Sequence, residues 1–178
     1  GEKGAGNRMK RTLGRLSATI RHGTALESLR YHSKCTGIVL APYYLILEGR
    51  GFSPDAEFRM GMAAYTYEWL GPEEMRTVVG VTSWRSTEQD WLALLEAGKK
   101  CLAARFEGEV VATTWAALDR ADTEWGPFQL GEHEAYLFSM CTKEEFRGRR
   151  IASYLRCAAY DELRRSVVDH FYSYSSAF

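Results

Sequence analysis

Apolar positions recur along this chain with two different periods, and the change of period marks where helices give way to strands. Met9, Leu13, Leu16 and Ile20 are spaced as one helical stripe, while Arg8, Arg11 and Arg15 fall together on another face. This predicts a short basic amphipathic helix, ended by His22-Gly23, with a second short helix through Ala25–Tyr31. Ile38–Leu47 reads as a strand broken at Pro42, and Gly49–Pro54 as a loop. The run Phe58–Trp69 is rich in aromatic and β-branched residues and predicts a strand. Pro72-Glu73-Glu74 has the form of a helix start, with acids where the macrodipole favours them. Ser86-Thr87-Glu88 begins a further helix carrying Trp91, Leu92, Leu94 and Leu95, and Gly98 ends it.

The second half is more sharply patterned. Lys100–Phe106 and Glu109–Ala117 are apolar-rich strands on either side of Glu107-Gly108, which predicts a hairpin. Asp119–Gly131 is polar and reads as a loop. A strand over Glu134–Thr142, a helix over Ile151–Arg165 and a strand over Val167–Ser175 follow. In that helix Ile151, Leu155, Ala158, Ala159 and Leu163 form one apolar stripe. Helices and strands are interspersed, which gives a mixed α/β class.

Composition adds a boundary to this picture. The chain has 178 residues, 46% hydrophobic and 26% charged, enough for one domain with a real core and an appendage. The formal net charge is zero, so no global field draws it to nucleic acid, and no nucleic-acid partner is expected. Residues 1–50 nevertheless hold nine Lys or Arg against three acids, and the rest fourteen against twenty. A basic N-terminal extension with a leading strand (1–50) therefore precedes an acidic body (51–178). The cysteines Cys35, Cys101, Cys141 and Cys157 and the four histidines are scattered, so no metal site is expected. Reduced thiols, no transmembrane run and no signal-peptide pattern point to a cytoplasmic protein.

The chemistry is concentrated after the strand that ends near Thr142. Lys143-Glu144-Glu145-Phe146 leads into Arg147-Gly148-Arg149-Arg150-Ile151-Ala152 and then the amphipathic helix. A strand that feeds a Gly- and Arg-containing turn into a helix start can bind phosphate. The first-turn N–H groups are free, the dipole is favourable, and guanidinium groups add charge-assisted bonds. By composition alone, a solvated Arg-rich helix start is an equal alternative.

The stretch EAYLFSMCTKEEFRGRRIASYLR resembles the acyl-CoA-binding core of the GNAT N-acetyltransferases, whose loop pattern is [RQ]-x-x-G-x-[GA]. Arg147 matches its first position and Ala152 its last, and Arg150 stands where the family has glycine. The upstream helix and the hairpin GKKCLAARFEGEVVATTW resemble the family's second helix and its second and third strands. The resemblance implies a mostly antiparallel mixed sheet flanked by helices, with acetyl-CoA as co-substrate and no metal. It implies that Met140, Cys141 and Thr142 line the pantetheine arm while Arg147, Gly148, Arg149, Arg150, Ile151 and Ala152 hold the pyrophosphate. Backbone donors bind phosphate whatever the side chain if φ is not forced positive, so Arg150 is expected to weaken binding at worst. Glu134 and Tyr136, on one side of their strand, are the candidate catalytic residues. Cys141 as a covalent nucleophile is disfavoured against direct transfer.

The implied acceptor is a primary amine on a small molecule or peptide, and Glu73, Glu74, Asp119, Asp122 and Glu124 would suit a cationic one. Alternatives are a non-catalytic acyl-CoA-binding module and a basic-helix interaction protein on a vestigial acyltransferase fold. The family continues beyond its fifth core strand with a helix and two strands. The end at Ser176-Ala177-Phe178 therefore implies a truncated domain or completion by another segment. An uncovered edge on the last strand would invite self-association, so a homo-oligomer is a further expectation.

Overall fold

A computed structural model of the chain describes residues 43–49, 54–82, 86–123 and 126–176. The two N-terminal helices expected at Met9–Ile20 and Ala25–Tyr31 lie outside these residues. Residues Leu45–Ser173 form one compact unit.

The order of elements is β1 (Tyr43–Glu48), α1 (Ala56–Met62), β2 (Thr66–Leu70), a 3₁₀ turn at Pro72–Glu74, α2 (Met75–Val81) and α3 (Glu88–Glu96). Then come β3 (Lys100–Phe106), β4 (Glu109–Ala117), β5 (Arg120–Thr123), β6 (Gly126–Gln129), β7 (Glu134–Thr142), α4 (Ile151–Arg164) and β8 (His170–Ser176). Among the described residues six strands form a sheet in the order β1-β8-β7-β4-β3-β2, and β5–β6 is a separate hairpin. The pairs β2–β3, β3–β4 and β4–β7 are antiparallel, and β7–β8 is parallel with α4 as its crossover.

Alternation along the central strands builds two cores. Cys101, Ala103, Val110 and Trp115 face Met75, Val78 and Trp91 of α2 and α3. Leu102, Ala104 and Val111 face Ile151, Leu155, Ala158 and Ala159 of α4. Burying the α4 stripe contributes on the order of 1.5–3 kcal/mol for each large apolar side chain.

Two segments depart from the sequence expectation. Phe58–Trp69 is not one strand: Asp55 Oδ1 accepts from the Phe58 N–H at 2.7 Å and starts α1 there, with β2 only at Thr66. A capped first turn that buries Phe58 outweighs the strand preference of its aromatic residues. Asp119–Gly131 is likewise not a plain loop, because it contains the β5–β6 hairpin, with Ala121 buried.

The far edge of β8, expected to lie open, is flanked in the sheet by β1, a strand from upstream in the sequence. Another segment therefore occupies that edge, and it brings Glu48 at the end of β1 to Ser173 of β8.

Candidate active site

The candidate site lies where β7 separates from β8. Their parallel ladder runs through Glu134–His170, Ala135–Phe171 and Tyr136–Tyr172 and goes no further, although β7 continues to Thr142. Against β4, Thr113 pairs with Cys141 and Trp115 with Phe138, so β7 holds one extra residue in that interval. Ser139 lies inside it at φ 47°. A bulge of this kind bends and twists its strand and turns side chains over. Phe138 and Cys141 both pack on the α2/α3 side, while Met140 is turned towards α4.

Met140 lines a cleft of about 360 Å³ with Glu48, Gly49, Ala152, Ser153, Arg156, Cys157 and Tyr160. One wall is the first three turns of α4, and another is the end of β1. Ala152 and Ser153, which line the cleft, follow shortly after the loop Arg147–Arg150 in the chain. The first helical bond of α4 is Tyr154 N–H to Arg150 C=O, so the N–H groups of Ile151, Ala152 and Ser153 precede the ladder. The residue at the helix boundary, Arg150, makes no side-chain cap. A bare start on a 14-residue helix suits a phosphate group.

Arg150 adopts φ 62°, ψ 14°, the left-handed region that glycine favours. The expectation that this substitution leaves the backbone unforced is therefore corrected: Arg150 bears the conformational cost of a glycine position. Its guanidinium lies 5.4 Å from the ring centre of Phe58, and that of Arg149 lies 5.0 Å from Phe146. Arg147 Nε donates to the Thr142 carbonyl at 3.3 Å. Gly148, at φ 77°, has open space where a side chain would be.

The other predicted residues are distributed unevenly. Met140 and Ala152 come together in the cleft. Ile151 is buried in the α4 core, so only its main chain is available to a ligand. Cys141 packs beside the Trp115 core rather than in the cleft, and burial pushes its thiol pKa up, which disfavours a nucleophile. Glu134 accepts the Gly131 N–H at 2.8 Å and the Tyr172 phenol at 3.0 Å. The Gly131 bond first, and the Tyr172 bond after it, hold its carboxyl below the usual range. Tyr136 is 1% exposed, its ring stacked on Phe138 and edge-on to Phe128.

The acids expected to border an acceptor are mostly paired. Arg105 bridges Glu68 and Glu74. Lys99, its side chain 5% exposed, donates to Asp119 at 3.1 Å and to the Arg120 carbonyl at 2.5 Å, with Asp122 at 3.9 Å. These carboxylates hold β2 and the β5–β6 hairpin in place. Glu73 is exposed, and Glu124 lies outside the described residues.

One group that sequence reasoning missed lies on the floor of the cleft. Glu48 accepts from Tyr160 Oη at 2.6 Å and from Ser173 Oγ, and Arg156 Nε lies 3.4 Å from the same carboxylate. Burial first, and the Glu48 bond and charge after it, push the Tyr160 phenol pKa up, so it stays protonated. Cys157 beside it is pushed up to about 11, again chiefly by burial.

A sequence model of the Acetyltransferase (GNAT) family matches residues 63–172, more than half of the chain. The chain belongs to the GNAT acetyltransferase family. Among solved structures, the GCN5-related glucosamine N-acetyltransferase region of a fungal multi-domain GH3 β-N-acetylglucosaminidase matches at TM-score 0.58 and 15% identity. That match covers 76% of this chain and 19% of the fungal one, and it shows a shared fold. The ribosomal-protein-S18-alanine N-acetyltransferase of Escherichia coli matches at TM-score 0.49 and 13% identity, covering 61% of this chain and 65% of that one. A putative acetyltransferase of Salmonella typhimurium, solved with its cofactor acetyl-CoA, matches at 0.47 and 14%, covering 62% of this GNAT chain and 69% of that one. No curated protein matches the chain. Among the described residues of this GNAT domain, no helix is long and apolar enough to cross a membrane.

Proposed function

We propose that this GNAT domain transfers an acetyl group from acetyl-CoA to a primary amine of a small molecule or peptide. The observation that carries the reading is the end of the β7–β8 ladder at Tyr136–Tyr172 beside the Ser139 bulge, with a cleft running from there along α4. Beyond Tyr136, β7 is available to an extended amide-bearing arm on the side away from β4, which is the logic of strand addition. The N–H groups of Ile151, Ala152 and Ser153, with Arg147 and Arg149 beside them, supply the donors for a pyrophosphate.

In this reading the co-substrate brings an activated thioester, and the chain orients it and manages charge. Glu134 is the candidate to accept the amine's proton. It is ionised at neutral pH but weakly basic, because Gly131 and Tyr172 already bond to it. It therefore acts best as a relay to water. Tyr136 supplies an aromatic wall and, through it, the placement of β7. Family membership supports the acceptor class in this reading, and no assigned pocket enters it.

Titration calorimetry with acetyl-CoA, paired with an assay of free thiol release against a panel of primary amines, tests this. Binding together with amine-dependent thiol release is the expected result. Binding without turnover on any amine would favour a non-catalytic acyl-CoA-binding module. The absence of both heat and thermal stabilisation at millimolar acetyl-CoA would overturn the reading.

A further inference from the structure

The polar floor of the cleft is not explained by holding an acyl-CoA. Glu48 precedes the segment that matches the family, yet its carboxylate binds the second and third turns of α4 and Ser173 of β8. The side chains of Glu48 and Arg156 are 17% and 18% exposed, so this is a half-dry ion pair inside a binding cleft. It is also incomplete. Arg156 offers a planar fork of five N–H donors, and Nε is the nitrogen directed at Glu48, at 3.4 Å. Nη1 is shut away from solvent with no hydrogen-bond partner. Arg156 nonetheless lines the cleft, so a ligand there meets the charge of the guanidinium and not this buried N–H.

Resting on the acyl-CoA reading above, we infer that Arg156, oriented by Glu48, stabilises the thiolate that acyl transfer releases into this cleft. The amine nitrogen bonds to the carbonyl carbon, the carbon–sulfur bond breaks, and its electron pair stays on sulfur. The amine's proton goes to water, and the thiolate takes one up after it leaves. A thioester sulfur is a poor acceptor and a thiolate a good one, so the Arg156 contribution grows along the reaction, as catalysis requires.

The neighbours suit that role. Tyr160 directs its proton at Glu48 and not at the cleft, and burial first, with that bond after it, keeps it a reluctant acid. Ser173 and Tyr160 disperse the Glu48 charge, so the carboxylate fixes the guanidinium without consuming all of it. Cys157 on α4 is a neutral thiol at ordinary pH, and Met140 on β7 carries no charge. Arg156 is thus the cation that faces the cleft midway along its helical wall. Glu48 is a positioning residue.

The test titrates CoA bound to the protein by its thiolate absorbance, with calorimetry reporting occupancy in parallel. In the unaltered protein the bound thiol should ionise at lower pH than free CoA. Arg156→Met should remove about one unit of that shift, a tenfold change in thiolate population, and Arg156→Lys should keep part of it. Steady-state kcat should fall roughly 10²-fold in Arg156→Met with little change in KM for acetyl-CoA. If Arg156→Met does not fold, Arg156→Gln removes the charge at similar length and serves in its place. A bound thiol that titrates like free CoA, or identically before and after the charge is removed, overturns the inference. Failure of the unaltered protein to bind CoA overturns the acyl-CoA reading first, and calorimetry shows that outcome separately.

Discussion

The phenol of Tyr160 donates to the carboxylate of Glu48 at 2.6 Å, across a separation of 112 residues in sequence. This contact joins β1 to α4 and fixes one wall of the cleft. Ser173 and Arg156 meet the same carboxylate, so Glu48 is the hub of the cluster. Glu48→Gln should therefore leave Arg156 without its ion pair and cost about 1–3 kcal/mol. Tyr160→Phe should cost about 1 kcal/mol. In urea denaturation the double variant should cost less than the sum of the two, with about 0.5–1 kcal/mol of coupling. Strict additivity would mean that the two groups are not energetically linked.

Val167 sits just past α4 with φ 66° and is 67% exposed. Val168 N–H bonds to the Leu163 carbonyl and Val167 N–H to that of Arg164, which is the Schellman pattern, with a left-handed residue at Val167. A β-branched side chain is strained there and contributes little packing in return. Val167→Gly should raise stability by about 1 kcal/mol and Tm by roughly 2–4 °C. A lower Tm would show that the exposed side chain has a contact worth more than the strain.

How much of this fold is legible in the sequence varies with the range of the interaction that decides each element. The β3–β4 hairpin, β7 and α4 are legible because continuous apolar runs bounded by turn residues mark the strands and a 3.6-residue apolar stripe marks the helix. At α1 a single carboxylate, Asp55, caps a helix whose aromatic residues look like those of a strand. The β5–β6 hairpin hides because its inward apolar residues are few, Ala121 and Phe128, among polar ones clipped by Lys99. The Arg147–Ala152 loop is readable as a motif, but its strain at Arg150 needs a backbone angle. Glu48 carries no signal at all, since only the placement of β1 beside β8 brings it to Tyr160.

Glu134 contributes stability at neutral pH that acid removes, in addition to the proposed proton relay. Its folded pKa lies below the ordinary 4.5, through the bonds from Gly131 and Tyr172. A depressed carboxyl contributes stability that is present above its unfolded pKa and is lost as pH falls through the folded value. The Glu134 contribution should therefore fade below about pH 4.5, and Glu134→Gln should flatten the acid limb of a stability–pH profile measured by denaturant midpoint. At neutral pH the same variant should lower kcat and leave acetyl-CoA affinity unchanged. A change in affinity alone would place Glu134 in binding and not in proton transfer.

The loop position occupied by Arg150 allows strain and contact to be separated, because two substitutions remove the same side chain. At φ 62° any residue with a Cβ carries a penalty of about 1–2 kcal/mol, and the Arg150–Phe58 contact returns roughly 0.5–1 kcal/mol of it. Arg150→Ala keeps the penalty and loses the contact, so it should destabilise by about 0.5–1 kcal/mol. Arg150→Gly loses both, so it should be neutral or stabilising, and more stable than the alanine variant by about 1 kcal/mol. The main-chain donors of Ile151, Ala152 and Ser153 are unaltered in either protein. CoA affinity should then fall no more than a few-fold, and by similar factors in the two, because one exposed cation contributes little. The measurement is a pair of denaturation curves with CoA calorimetry on each variant. Equal stability of the glycine and alanine variants would show that the left-handed conformation at this position is not held in solution. An affinity loss confined to alanine would show that the strained backbone, and not the guanidinium, sets how closely a phosphate approaches the helix start.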